Sequence, residues 1–188
     1  SLANFDFMIV ADKDKVNKNL NKSSILNSIK AAPKDWVGIF ANQKYLYYDL
    51  WPLRIKTLLD KDCYQEFIKY SYKISVRRAY FSTVFKNFFI IKKINERFIK
   101  VKSAFGGLGI YRLREVLDSK YDSNLGKFSE HVRFNENILK NNLNKSLYID
   151  KKLINFSGLN EHFFKGIIYC ISKYFSSNLL DKFKKINC

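Results

Sequence analysis

The sequence has few of the residues that break or cross-link a chain, with 7 Gly, 2 Pro and 3 Cys among 188 residues. So little glycine and proline excludes the collagen-like and low-complexity classes. Cys63, Cys170 and Cys188 are far apart and form neither a C-x-x-C pair nor a zinc-ligand pattern. The N-terminal residues lack the basic start and cleavage site of a signal peptide, so we expect a cytoplasmic protein with reduced thiols.

Long apolar runs are also missing, because none approaches the roughly 20 residues of a transmembrane helix. Hydrophobic residues still make up 47% of the chain and aromatic residues 16%, which predicts a folded domain. The formal net charge is +17, yet only 7 of the 34 basic residues are arginines, the better phosphate ligands. Since those arginines are not clustered, a nucleic-acid partner is not favoured.

Strands and helices alternate along the sequence, which predicts an α/β fold. Apolar runs predict strands over 4–11, 35–43 and 146–155, and the first of them is expected to be buried. Three glycines interrupt the alternating pattern of 98–112, where a strand, a tight turn and a second strand are predicted.

Helical spacing predicts helices over 23–32, 63–90, 113–121 and 129–141, and a terminal amphipathic helical region over 160–186. No linker stands out, so we expect a single domain over residues 1–188. Its core part would span 1–155 and its C-terminal helical region 156–188.

Two aspartates follow the first strand in the segment "FMIVADKDKVN" (Phe7–Asn17). Only Lys13 separates Asp12 from Asp14, and two close carboxylates are most easily kept ionised by a cation between them. Mg²⁺ and Mn²⁺ take oxygen ligands and need only one or two carboxylates beside substrate phosphates. The segment therefore predicts a metal site at Asp12 and Asp14 with Asn17 nearby, at the carboxyl edge of a sheet. The alternative is an ordinary solvated turn.

Two further segments place functional side chains at turns and helix starts. In "FGGLGIYR", the backbone of Gly106 and Gly107 can approach a ligand closely, although a β-bulge or a hairpin explains the glycines equally well. In "SEHVRFN", Glu130 and His131 open a helix, which suits a catalytic base or a metal ligand. A capped, solvated first turn is the alternative there.

The segment "YYDLWPLR" combines aromatic rings with a carboxylate and a guanidinium. Such a set suits a sugar, because its CH faces stack on rings and its hydroxyls form hydrogen bonds. A buried aromatic cluster is the alternative. The residues concerned are Tyr47, Tyr48, Asp49, Trp51 and Arg54.

Taken in order, four segments resemble the central and C-terminal parts of a glycosyltransferase of the GT-A fold: "MIVADKDKVN", "DWVGIFANQKYLYYDLWPLR", "FGGLGIYR" and "SEHVRFN…LYIDKKLIN". The likeness is to a family-two-like group with a DxDxVN strand end, a YYDxWALR segment, a GGLxIYR turn and a CEHVxF helix. It runs from Phe5 to about Asn155. Ser129, Pro52 and Asn135 stand where that group is expected to have cysteine, alanine and histidine.

The resemblance implies a Rossmann-like mixed sheet flanked by helices. It also implies an N-terminal truncation, because strand–helix units that hold the base and ribose of the donor normally precede the D-x-D strand. The implied activity is metal-dependent transfer of a sugar from a nucleotide-sugar donor to a glycan or lipid-linked acceptor.

The resemblance also implies roles for individual residues. Asp12 and Asp14 would hold Mn²⁺ or Mg²⁺ against the donor diphosphate, and the glycine turn would lie beside the donor sugar and the acceptor. Glu130 would be the catalytic base, and His131 would support it or reach the metal. Further donor- or acceptor-binding residues would be Asn17, Tyr48, Asp49, Trp51, Arg54, Gly106 and Gly107.

Two other functions fit parts of the sequence. "FMIVADKDKV" also matches the hhhhDxDx[TV] nucleophile strand of haloacid-dehalogenase-type phosphatases, with Asp12 as nucleophile, Asp14 as acid/base and "DSKYD" (Asp118–Asp122) imitating the later metal pair. That interpretation leaves "YYDLWPLR" and "FGGLGIYR" unexplained. The other alternative is a non-catalytic basic protein that stacks aromatic rings on single-stranded nucleic acid, but most aromatics here fall at core spacing.

The end of the chain raises a separate expectation. Apolar residues recur near helical spacing from 163 to 175, and "KFKK" (Lys182–Lys185) follows them. This basic end could contact an anionic membrane from its inner face, or it could simply complete a solvated helix.

Overall fold

The computed structural model describes residues 5–13, 15–119 and 129–156, and in addition Ile168 and Ser172. Asp14, one of the two predicted metal ligands, lies outside the described residues. So do Asp122 and, apart from Ile168 and Ser172, the terminal region predicted to be helical over 160–186.

The described chain forms an α/β fold around one five-stranded mixed sheet, as the alternation of elements predicted. Its strands are β1 (Phe7–Ala11), β2 (Trp36–Gln43), β3 (Phe98–Val101), β4 (Leu108–Arg112) and β5 (Ser146–Phe156). Their spatial order is β1-β4-β2-β5-β3. β4 is antiparallel to β1 and β2, β5 is parallel to β2, and β3 is antiparallel to β5. Strands β1, β2 and β5 therefore end at the same edge of the sheet, where β4 begins. We call this edge the carboxyl edge.

Helices lie on both faces of the sheet. On one face, Ile25 and Ile29 of α1 pack against a cluster that contains Ile39 and Ile110. On the other face lies the larger core, to which α2, α3 and α5 contribute. The helices are α1 (Lys22–Ala31), α2 (Cys63–Ser71), α3 (Val76–Thr83), α4 (Leu113–Val116) and α5 (Glu130–Asn141), together with a 3-10 helix at Phe85–Lys93.

The segment predicted to be largely helical over 63–90 is divided into α2, α3 and the start of the 3-10 helix at Phe85–Lys93. The chain turns at 72–75, and α2 and α3 fold against each other there. The rings of Phe67 and Tyr80 meet edge to face with centroids 6.4 Å apart. Two short helices bury their apolar faces against each other and the core, which one straight helix could not do.

The prediction that the first strand is buried is wrong. β1 is an edge strand that pairs with β4 alone among the described strands. Phe7 and Ile9 are 40% and 49% exposed on one face, while Met8 and Val10 pack against the core on the other. An apolar run has the same composition at the edge of a sheet as at its centre, so the sequence could not distinguish the two positions.

The two strands predicted over 98–112 are present, but they do not form a hairpin. β3 lies at one edge of the sheet and pairs with β5, whereas β4 lies between β1 and β2. Residues 102–107 connect β3 to the start of β4, so Gly106 and Gly107 lie at the carboxyl edge.

Among the described residues, the helices are all too short or too polar to cross a bilayer.

Candidate functional site

The aspartate loop and the glycine turn are in direct contact at the carboxyl edge. Asp12 follows the last residue of β1, and its backbone N–H donates to the carbonyl oxygen of Gly107 over 3.0 Å. The side chain of Asn17 then closes the loop, since its Nδ2 donates to Gly107 O at 2.9 Å and to Asp12 O at 3.2 Å. The loop that begins at Asp12 is therefore held against the glycine turn at both of its ends.

Both turn residues must be glycine. Gly106 and Gly107 have φ angles of +65° and +84°, a region that residues with a Cβ rarely adopt. A Cβ at Gly106 would lie 2.7 Å from the carbonyl oxygen of Ala41, and one at Gly107 would lie 2.5 Å from Cγ1 of Val16. The turn is thus buried backbone, with neighbouring protein atoms where a side chain would begin.

Two buried amides that sequence reasoning missed complete this arrangement. Nδ2 of Asn155 donates to Asn17 Oδ1 at 3.0 Å and to Gly106 O at 2.7 Å. Nε2 of Gln43 donates to Gly106 O at 2.9 Å and to Asn155 Oδ1 at 3.1 Å. We call Asn17, Gln43 and Asn155 the amide network.

A signal for these amides was present in the sequence. Gln43 is the last residue of β2, and Asn155 is the last but one of β5. A polar side chain that is buried must find partners inside the protein. Polar residues near the ends of two strands therefore signal a need for buried partners, but their spacing does not show that the two strands end side by side.

The segment "YYDLWPLR" also contacts the glycine turn. The backbone N–H of Gly106 donates to Asp49 Oδ2 at 2.8 Å. Tyr47 and Tyr48 are buried beneath the turn, with their hydroxyls near the positions that a Cβ on Gly106 or Gly107 would occupy. Burial, followed by the neighbouring Asp49 carboxylate, raises the pKa of Tyr47 well above its usual value, so this hydroxyl stays protonated.

The other two residues of that segment lie apart from the turn. Trp51 is exposed. Arg54 is buried, and its NH1 donates to the carbonyl oxygens of Trp51 and Leu53, both at 2.8 Å. Its NH2 lies 3.5 Å from Asp62 Oδ2. These contacts stabilise the loop before α2, and a binding role for Arg54 stays a prediction.

Glu130 and His131 lie beside the glycine turn, at the start of α5. The His131 ring stacks on Phe105, the residue before Gly106, with centroids 3.8 Å apart and planes at 15°. Glu130 Oε1 is 3.6 Å from His131 Nε2, and the Glu130 side chain is the more exposed of the two. Burial lowers the pKa of His131 below 6.5, although the Glu130 carboxylate opposes this shift. The imidazole is therefore neutral at neutral pH, next to a carboxylate that solvent can reach.

Of the two predicted ligands of Mn²⁺ or Mg²⁺, the structure describes Asp12, which is exposed at the end of β1. Among the residues that the structure describes, no group of three His, Cys, Asp or Glu side chains is placed to hold a metal ion. Mg²⁺ needs no such cage when phosphate oxygens and waters complete its ligands. Binding of Mn²⁺ or Mg²⁺ by Asp12 and Asp14 therefore stays a prediction.

Most of the predicted site residues meet at or beside the glycine turn; those that do are Asp12, Asn17, Tyr48, Asp49, Gly106, Gly107, Glu130 and His131.

Comparison of the chain with models of protein families, with curated proteins and with solved structures gives no match.

Proposed function

We propose that this chain acts in metal-dependent glycosyl transfer, moving a sugar from a nucleoside-diphosphate donor to a hydroxyl of a glycan or lipid-linked acceptor, and that its sheet is of the GT-A type. The contact between the aspartate loop and the glycine turn, made by Asp12 and Asn17 with Gly107, carries the proposal. In a sugar nucleotide, one bond joins the diphosphate to the sugar. A cation-binding carboxylate suits the diphosphate, and an adjacent turn that carries no side chains suits the sugar.

The chain's own residues would share the work as follows. Asp12 and Asp14 would hold the cation, which would supply neutralisation of the charge that develops on the leaving diphosphate. Gly106 and Gly107 would let the donor sugar approach the backbone, and the amide network would keep that backbone in place. These roles require a rigid turn, which agrees with the burial of Gln43 and Asn155.

Glu130 would act on the acceptor. Its carboxylate would take the proton of the acceptor hydroxyl as that oxygen attacks the anomeric carbon and the bond to the diphosphate oxygen breaks. His131 stacks on Phe105 and lies 3.6 Å from Glu130 Oε1, so it would position the Glu130 carboxylate.

Binding of Mn²⁺ with nucleoside diphosphates tests the metal assignment. We expect weak binding of Mn²⁺ alone and tighter binding with a nucleoside diphosphate, measured by titration calorimetry. Asp12→Asn and Asp14→Asn should each weaken the joint binding at least about tenfold. Asp60→Asn is the matched control, because Asp60 is an exposed aspartate paired with Lys102 away from the turn. Unchanged binding by the Asp14→Asn variant would contradict the assignment.

Hydrolysis of sugar nucleotides, with and without acceptors, tests the role of Glu130. Glu130→Gln should preserve binding of Mn²⁺ and diphosphate but lower turnover by about a hundredfold or more. Glu136→Gln, an exposed glutamate on the same helix, should leave both unchanged. If turnover survives Glu130→Gln, Glu130 only begins the helix.

The two alternatives stay predictions, and each has an assay. Phosphate release from aryl phosphates, lost in Asp12→Asn, would favour the haloacid-dehalogenase-type phosphatase. A salt-dependent shift of a single-stranded oligonucleotide would favour the basic binding protein.

A further inference from the structure

The turn between α2 and α3 exposes aromatic and aliphatic side chains. Residues 72–75 are exposed one after another. The exposed fractions of Tyr70, Tyr72 and Ile74 are 45%, 54% and 40%, and Phe81 on α3 is 47% exposed. We call the exposed residues of 69–81 the hairpin tip.

The hairpin tip is also strongly basic. No acidic residue occurs between Glu66 and Glu96. Arg77 and Arg78 are exposed and stand four and three residues before Phe81 on α3, so they lie on the same side of that helix as its ring. The remaining cations of the hairpin tip are Lys69 and Lys73.

Of the described acidic side chains beside the hairpin tip, Glu66 offsets one of its four cations and Asp60 offsets none. Glu66 of α2 and Asp60 of the preceding loop line the same groove as Tyr70. Glu66 pairs with Lys69 at 3.1 Å, and Asp60 pairs with Lys102 at 2.6 Å. Both carboxylates are thus engaged by lysines, and Lys73, Arg77 and Arg78 add further positive charge.

Tyr70, Tyr72 and Ile74 lie outside the core that builds the hairpin, whereas the Phe81 ring also packs on Phe85 with centroids 4.8 Å apart. Phe67 and Ala79 already bury the inner faces of α2 and α3 in the core. Single exposed apolar side chains are ordinary on a protein surface, but a cluster of them with cations marks a surface that meets a partner.

We propose that the hairpin tip binds the surface of an anionic lipid bilayer. Ile74 and Phe81 would enter the boundary between headgroups and acyl chains, and the tyrosines would lie at headgroup level, where amphipathic rings are favoured. The lysines and arginines would reach lipid phosphates. This proposal does not depend on sugar transfer, and it rests on residues 69–81.

Single-stranded nucleic acid fits this surface less well. Such ligands lie in basic grooves and stack their bases on rings. The groove beside the hairpin tip holds the carboxylates of Asp60 and Glu66, which would repel a phosphate backbone, and Ile74 offers no ring to a base. Charge and apolarity together therefore favour a bilayer.

Sedimentation with vesicles tests the proposal. The chain should sediment with vesicles of equimolar phosphatidylglycerol and phosphatidylcholine, and much less with phosphatidylcholine alone. A charge variant (Lys73→Gln, Arg77→Gln and Arg78→Gln together) should bind about fivefold more weakly for each cation removed. An apolar variant (Ile74→Ser with Phe81→Ser) should lose the part of binding that persists at high salt.

Matched controls change equivalent residues elsewhere. Lys22→Gln, Lys30→Gln and Lys34→Gln together remove the same charge from exposed lysines at the ends of α1 and just beyond it. Leu143→Ser removes an exposed leucine, 87% accessible, before β5. Both controls should bind vesicles like the unaltered chain, and circular dichroism should show that every variant is folded.

Three results would overturn the proposal. They are vesicle binding unaffected by both hairpin-tip variants, equal binding to neutral and anionic vesicles, and loss of oligonucleotide binding by the charge variant while vesicle binding persists.

Discussion

Asn155 carries no charge and no catalytic group. Its buried side-chain amide nevertheless forms hydrogen bonds with Asn17, Gln43 and Gly106. Asn155→Ala would leave Asn17 Oδ1 and Gln43 Nε2 each without one partner, and buried polar groups that lose a partner cost about 1–3 kcal/mol. We expect a loss of that size in the free energy of unfolding, measured with urea. Binding of Mn²⁺ with a nucleoside diphosphate should weaken in parallel.

Asn155→Asp gives a second test. Its carboxylate would place an oxygen that only accepts hydrogen bonds where Nδ2 now donates to Gly106 O and Asn17 Oδ1. It should destabilise the chain at least as much as the alanine variant does. Asn95→Ala, at an exposed loop position, is the control and should unfold like the unaltered chain. Equal stability of the Asn155 and Asn95 variants would show that the amide network is not structural.

His131 predicts a pH dependence of stability. Burial lowers its pKa below 6.5 in the folded chain, so on acidification the unfolded chain takes up this proton first. The free energy of unfolding should therefore fall as pH drops from 6.5 towards the folded pKa of His131. His131→Phe keeps a ring on Phe105 but cannot bind a proton. Its stability should fall less between about pH 7.5 and pH 5.5, measured with urea at several pH values. Identical pH slopes for the two proteins would contradict this.

At the scale of elements, local patterns predicted the strands and helices well. The strand predicted over 35–43 is β2 at Trp36–Gln43, and the helix predicted over 129–141 is α5 at Glu130–Asn141. Periodicity over a few residues determines such elements. Strand pairing was not predictable, because β3 and β4 find their partners far away in the sequence.

The same limit applies to the site. Gly106 and Gly107 were predictable because glycine pairs are rare and serve few purposes. Asn155 and Gln43 were not predicted, since an isolated amide has no spacing rule and its role depends on which strands end together. Asp12 was predicted as a metal ligand from its spacing to Asp14. The strand before it was predicted to be buried, but it lies at the edge of the sheet.

Strand β1 predicts self-association. An exposed edge strand with apolar side chains can pair with another chain, and charged residues on such edges prevent this. Ile9→Lys should therefore reduce the mass that light scattering records at high protein concentration, with little change in the free energy of unfolding. Leu143→Lys puts the same charge at another exposed leucine and should not reduce it. Equal effects of the two variants would indicate that net charge alone controls association.

For the whole molecule, the net charge of +17 predicts that salt stabilises the fold. Like charges on a compact chain repel, and added ions screen that repulsion. The free energy of unfolding, measured in urea because urea is uncharged, should rise between about 0.05 M and 0.5 M NaCl. The rise should be smaller after Lys22→Gln, Lys30→Gln and Lys34→Gln together. A fall in stability with salt would mean that attractive ion pairs dominate.

The pairing of Phe7 with Arg112 also has a consequence for how the chain is made. Synthesis proceeds at about 5–20 residues per second, so β1 leaves the ribosome roughly 5–20 seconds before β4. During that interval the peptide "FMIVA" has no strand to join among those described, because β4 is its one neighbour in the sheet. Chaperones that hold apolar peptides would therefore bind a nascent chain at its first strand, and would be released when residues 108–112 arrive.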